Sequence, residues 1–435
     1  MPEQNCTAKI GLWTSTALVV GNMVGSGIFL LPATLSAYGG ISLIGWIGSS
    51  LGAIALALLF SNLSKMIPNL SGGPYVYTRA GLGDFAGFLV AWGYWISVLC
   101  TNAAISVTFV SYLTVFFPVL KTDSIASVGT GLATIWLLTW VNTRGIKAAG
   151  RVQVLTTILK LTPLFLVALV GMFFINPDHF SPFNRSDGTN FDAITATVTL
   201  TLFAFLGMEC ATIPSGDISD PGKTIPRATM IGTAVAICIY VAGSVVVMGM
   251  VPHEQLQNSS APFADAAELI WGYNARSWVA LGAIVSTFGA LNGWILIQGQ
   301  IPAAAANDSL FPTFFRRVSR HGVPTPGIIF SSVIISIVML MNYTRGLNEM
   351  FKFMVLLGTL AVLLPYLFSA AAQGIMLLQQ PGWKSKSMVQ LIVALIAFLY
   401  STWAVVGAGR EPVYWGFVAI MSGIPFYVWM KRVKD

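Results

Sequence analysis

Charge is scarce in this chain. Asp, Glu, Lys and Arg together make up 9% of the 435 residues, against about 25% in a soluble globular protein. Over half of the residues are hydrophobic, 55%, so most of the chain belongs in lipid. Histidine is also sparse. The three present, His179, His253 and His321, all fall in connections between apolar runs, which leaves no imidazole inside a span to act as base or ligand. Of the four cysteines, Cys6, Cys100, Cys210 and Cys238, none has metal-ligand spacing and three lie within apolar runs. That excludes a zinc site and a disulfide framework, and no cofactor is implied. The net charge of +7 comes from basic residues that alternate between loops, so it builds no nucleic-acid surface.

Long hydrophobic runs are what the chain has. A membrane-spanning helix needs about 20 apolar residues, and the pattern predicts twelve, at 11–37, 41–65, 82–112, 125–142, 152–175, 192–215, 226–251, 274–304, 326–343, 350–375, 388–408 and 413–430. The first lacks a small-residue cleavage site at its end and reads as a retained span, not a signal peptide. With the N-terminus inside, sixteen of the 23 basic residues lie in inner segments and six in outer ones. This positive-inside bias predicts that both termini are cytoplasmic. One basic residue, Lys160, and one acid, Glu209, remain well within spans. An ionisable group there costs several kcal/mol unless paired, and so reads as functional.

The first span is interrupted where it should be continuous. Residues 21–32 read Gly-Asn-Met-Val-Gly-Ser-Gly-Ile-Phe-Leu-Leu-Pro, and each Gly costs about 1 kcal/mol of helix propensity against Ala. Gly21 and Gly25 alone would signal only close helix packing. The added Ser26-Gly27 step suggests a break whose bare backbone faces a ligand, N–H groups toward a carboxylate and C=O groups toward a cation. Asn22, Val24, Gly25, Ser26, Gly27 and Ile28 are therefore substrate-site candidates. The sixth span carries Gly207, Glu209 and Pro214, a second interruption five spans later. Paired broken helices point to a transporter with inverted repeats, here spans 1–5 and 6–10, with spans 11 and 12 as additions. No residue-level identity between the halves is evident.

Other polar or amphipathic residues inside spans group around these breaks. Asn102 in span 3 reads either as an interhelical hydrogen bond or as a site residue. Trp294 is far from both interfaces that Trp prefers, which suggests a cavity wall. Tyr94 and Tyr366 are similar candidates, for gating. Phe203 and Phe205 read as packing unless the cavity reaches them. Lys160 lies roughly 13–15 Å into span 5. Its ammonium either ties the span to neighbouring polar groups or stands where a sodium ion would otherwise bridge two helices, which predicts sodium-independent transport.

The stretches 21–32, Ser-Gly-Gly-Pro-Tyr-Val-Tyr (71–77), Phe-Leu-Gly-Met-Glu (205–209), Asp-Pro-Gly-Lys-Thr-Ile-Pro-Arg-Ala-Thr (220–229), Ser-Ala-Pro-Phe-Ala-Asp-Ala (260–266) and Ala-Asn-Asp-Ser-Leu-Phe-Pro (306–312) resemble, in order, the amino acid–polyamine–organocation superfamily. The branch is similar to the bacterial basic amino acid/polyamine antiporters of arginine/agmatine type. The resemblance implies an all-α integral membrane protein of the LeuT-like 5+5 inverted-repeat fold, working by alternating access in a bacterial inner membrane. Its parts would be a tail at 1–10, a transport core at 11–375 (repeats about 11–175 and 192–375), two further helices at 388–430 and a tail at 431–435. By the same resemblance Ser26 and Gly27 meet the substrate carboxylate, and carbonyls near Gly207 and Ile28 hold its ammonium. Asn102 and Trp294 line the site, Trp294 as a gate, and Glu209 is proton- or release-linked. The resemblance departs at Phe203, where the arginine/agmatine type has Trp, and at Lys160, which resembles sodium-independent transporters elsewhere in the superfamily.

The expected function is thus amino acid transport, cationic amino acid or polyamine exchange ahead of a proton-linked or exchanging permease for neutral amino acids. The partners are a small amino acid or polyamine substrate and membrane lipid, with a homodimer allowed. An intramembrane enzyme lacks HExxH, GxSxG and any His within a span. A channel would need charged rings or carbonyl filters in place of paired breaks.

Overall fold

Backbone polar groups in lipid must be satisfied within their own segment, so long apolar runs can only become helices. The computed structural model describes residues 10–68, 72–144, 162, 164–213, 215, 218–319, 322–379 and 385–432. Among them ten helical segments are long and apolar enough to cross a membrane. Two shorter apolar helices, Leu164–Phe174 and Thr325–Met341, fall where spans five and nine were expected. The described residues contain no sheet, only an isolated bridge between Ile10 and Ile218. Lys160 and Pro214 lie outside the described residues.

Burial sorts the helices into centre and rim. Leu12–Ser36 and Asp84–Leu113 are each 89% buried over their most apolar stretch, and Leu347–Gln379 is 83% buried. Ser387–Val406 and Arg410–Arg432 are only 28% and 17% buried, so these C-terminal helices face outward. Asp84–Leu113 packs against both Leu347–Gln379 and Tyr273–Asn307, while Ser42–Met66 packs against Pro221–Met250 and Asn190–Leu202.

Both expected breaks are present. Leu12–Met23 stops, Val24, Gly25 and Ser26 bend, and a new helix runs from Gly27 to Ser36. In the sixth apolar segment Asn190–Leu202 gives way to a 3₁₀ turn at Phe203–Phe205, an extended Leu206 and Gly207 at φ +101°. The helix thus ends earlier than Gly207 itself, because a left-handed residue preceded by an extended one cannot join an α-helix and the last turn tightens. A further break was not expected. The last span divides at Ser422 into Arg410–Met421 and Gly423–Arg432, where Pro425 has no N–H to offer the preceding turn.

The two halves share a local device. Pro74–Leu82 and Pro262–Trp271 each begin with Pro in the first turn and end on a Gly that caps the next long helix. Gly83 has φ 86° and ψ −180°, and Gly272 has φ 81° and ψ −178°. These are angles only glycine adopts without strain. The long helices that follow, Asp84–Leu113 and Tyr273–Asn307, pack on one another and run in opposite directions, since Asn102 meets Gln298 and Phe109 meets Phe288. The short helices therefore sit at opposite ends of the bundle.

Candidate functional site

The two breaks meet. A Cβ on Gly27 would lie 3.1 Å from Ala204 Cα, and one on Gly207 would lie 3.2 Å from both Asn22 Cβ and Trp294 Cζ2. Close approach therefore explains these glycines beyond propensity. Since a helix restarts at Gly27, the amides of its first turn lack intrahelical acceptors, apart from Phe29, which bonds back to the Ser26 carbonyl at 3.1 Å. The carbonyls freed upstream are partly used by aromatic donors. Trp294 Nε1 donates to Asn22 O at 3.1 Å and Tyr240 OH donates to Met23 O at 2.5 Å.

Around this junction are buried side-chain oxygens without a hydrogen-bond partner: Ser26 Oγ, Thr101 Oγ1, Asn102 Oδ1 and Thr359 Oγ1. A buried polar atom left unpaired costs about 1–3 kcal/mol; other such atoms are scattered through the described residues, and these four are distinguished by lying on the elements that pack at the two breaks. Asn102 is held rather than free. Its Nδ2 donates to Gln298 Oε1 at 2.7 Å, and Gln298 Nε2 donates to Ile328 O and Ser332 Oγ. The amide is thereby oriented with Oδ1 left over.

Two layers close this region above and below. Eight residues before Asn102, or about 12 Å along the helix, Tyr94 OH donates to Glu209 Oε1 at 2.7 Å and Tyr366 OH donates to Glu209 Oε2 at 3.0 Å. Glu209 is fully buried, and among the described residues no cation pairs with it. Ten residues after Asn102, Tyr112 OH donates to Phe29 O at 3.0 Å and accepts from Phe263 N at 3.3 Å, while the Phe29 ring meets those of Tyr112 and Phe263 edge-on. Phe263 belongs to Pro262–Trp271, so one terminal helix rests directly on this layer.

Salt bridges lock both terminal helices. Arg79 pairs with Asp84 at 2.8 Å and Asp308 at 3.2 Å, and Tyr75 OH donates to Asp308 at 3.1 Å. Burial first, then the neighbouring Asp308 charge, pushes the Tyr75 hydroxyl above its ordinary value, so it remains a donor. At the other end Arg276 pairs with Asp265 and Glu268, both at 3.2 Å, and Ser259 Oγ donates to Asp265. Burial pushes Asp265 up from the usual carboxylate range, while the Ser259 hydrogen bond and the Arg276 charge pull it back.

Comparison with known proteins then gives the family. The amino acid permease family matches residues 10–427. The chain belongs to that family. It is 33% identical to the cadaverine/lysine antiporter of Escherichia coli K12 over 428 residues, 96% of this chain and 94% of the relative. Identity is 32% with the arginine/ornithine antiporter of Pseudomonas aeruginosa (94% and 88%) and 30% with the putrescine transporter PotE of Haemophilus influenzae (98% of each). The expectation of a multi-pass amino acid transporter, in place of an enzyme, is borne out.

Within this permease the structure brings together Asn22, Gly207 and Trp294, and separately Tyr94, Glu209 and Tyr366. Val24, Gly25 and Ile28 are buried along the first break, with Ile28 turned toward Gly243. Phe203 meets Phe351 edge-on, and Phe205 packs edge-on against the stacked Trp46 and Tyr240 rings. Lys160 cannot be joined to this geometry, lying outside the described residues. Sequence reading missed Tyr240, Tyr112 and Thr359. Tyr240 carried a usable signal, a Tyr in mid-span away from the interface. Tyr112 sits at a span end, where Tyr is ordinary, and Thr359 is one hydroxyl among many.

Proposed function

We propose that this permease exchanges a cationic amino acid for a related amine by alternating access. The carrying observation is the junction of the two breaks, with its helix N-terminus at Gly27 and unpaired oxygens at Ser26, Thr101, Asn102 and Thr359. In this reading the amides of Ser26 and Gly27 take the carboxylate, helped by the helix dipole. Carbonyls of the two unwound stretches, including those beside Gly207, take the α-ammonium. The side-chain cation lies among Asn102 Oδ1, Thr101, Thr359 and the Trp294 and Phe203 rings, whose π faces favour a cation. The cationic class rests on the named substrates of the relatives, lysine, cadaverine, arginine, ornithine and putrescine.

Glu209 with Tyr94 and Tyr366 is the inner gate of this scheme and its proton-linked group. The matched glycine-capped helices after the second and seventh spans support two inverted five-span repeats within twelve spans, and the loop charges support cytoplasmic termini in a bacterial inner membrane. Counterflow in proteoliposomes tests the substrate class. Lysine, arginine or ornithine inside should drive uptake of labelled lysine or cadaverine. Exchange with alanine or leucine and none with any of the cationic compounds would replace this reading with a neutral amino acid permease.

A further inference from the structure

Two cavities open side by side, the first walled by Asp84–Leu113, Thr325–Met341 and Gly423–Arg432 among others, the second by Thr325–Met341 and the turn before it. The first, about 570 Å³, has aromatic walls that include Trp92, Trp95, Phe315, Phe330, Phe426 and Trp429. It runs inward to Cys100 and Leu357, on the two central helices that carry Thr101 and Thr359. The second, about 580 Å³, shares Phe314 and Phe330 with it and adds Arg317, Ser319 and Thr325. Both volumes fall in the range of about 300–1,000 Å³ that holds a small ligand. Together they make one amphipathic groove, apolar at one end and cationic at the other.

Arg317 decides what the groove fits. Its neighbour Arg316 is already used, donating to Ala306 O, Asn307 O and Ser309 Oγ at the end of Tyr273–Asn307. Arg317 is exposed, and among the described residues its guanidinium has no ion pair. No acidic side chain is among the described residues lining either cavity. A guanidinium presents a planar fork of donors that matches phosphate oxygens, and a basic pocket between spans at the membrane surface suits an anionic headgroup. We infer that the groove binds one anionic phospholipid, with an acyl chain between Trp95 and Trp429 and its phosphate on Arg317. The lipid tail then reaches the backs of the two helices that carry the transport site.

Native mass spectrometry of the purified chain, titrated with phosphatidylglycerol or phosphatidylcholine of matched acyl chains, tests this. The wild type should retain one phosphatidylglycerol at concentrations where phosphatidylcholine is lost. Arg317→Glu should weaken phosphatidylglycerol retention at least about tenfold, the order expected when a charge-assisted contact turns repulsive. Ile334→Trp, which fills the apolar cavity while leaving Arg317 in place, should weaken it as well. Equal retention of the two lipids, or phosphatidylglycerol retention unchanged in both variants, overturns the inference. So does a shift from dimer to monomer in Ile334→Trp with lipid retention intact, which would make the groove a contact between two copies.

Discussion

Gly27 shows how much a single position carries. It starts a helix at mid-membrane and lies against the Ala204 backbone of the second break, so any larger side chain must push the two breaks apart. Gly27→Leu should abolish substrate binding, measured by isothermal titration or scintillation proximity, while the protein still inserts and elutes as a monodisperse species. Near-native affinity would remove the first break from the site. Glu209 offers a subtler test, because Gln keeps the shape and can still meet both Tyr94 and Tyr366, one as acceptor and one as donor. Only the ability to change charge is lost. Glu209→Gln should therefore bind substrate with little change but show turnover that no longer varies with pH. A pH–rate profile that keeps its wild-type shape would assign the proton-linked role elsewhere.

At the scale of elements, the proposed scheme makes the two glycine-capped helices its lids, each tied through one arginine to two carboxylates. The Pro262–Trp271 helix should have a pH signature. Asp265 faces Ser259, Arg276, Glu268 and Lys121, and burial raises its folded value above that of the unfolded chain. The folded state then binds more protons in the window between the two values, so wild-type stability rises as pH falls through that window. Asp265→Asn lacks this contribution. The difference in Tm, wild type minus variant, should grow as pH is lowered from neutral into the carboxylate range. A constant difference would mean that Arg276 compensates the burial of Asp265 fully.

For the whole molecule, charge and geometry together predict an orientation that labelling can test. The Asp84–Leu113 helix begins beside the Arg79 lid and ends where Thr114 meets Ser260 near the Asp265 lid. Arg316, Arg317, Lys431 and Arg432 cluster toward the first end, which the positive-inside rule assigns to the cytoplasm. In a chain with Cys6→Ser, Asn274→Cys should react with a membrane-impermeant maleimide on intact cells, and Thr313→Cys only after permeabilisation. The reverse pattern would invert the topology.

Hydrophobic runs of about 20 residues determined by themselves the all-helical architecture and the positions of the ten long spans among the described residues, because lipid offers the backbone no alternative partner. The breaks were equally legible, since Gly25-Ser26-Gly27 and Gly207 each violate a local rule that the rest of the span obeys. So were Trp294 and Glu209, whose chemistry is out of place in hydrocarbon. What only the tertiary structure decided was pairing. Tyr94 and Tyr366 are 272 positions apart in the chain yet grip the same carboxylate, and nothing local to either tyrosine states this. The likeness of the two lids was also hidden, because it lies in the backbone angles of Gly83 and Gly272 rather than in matching side chains. Local rules act on neighbours within a few residues, whereas a transport site is made where distant elements close on each other, and that closure is set by packing over the whole bundle.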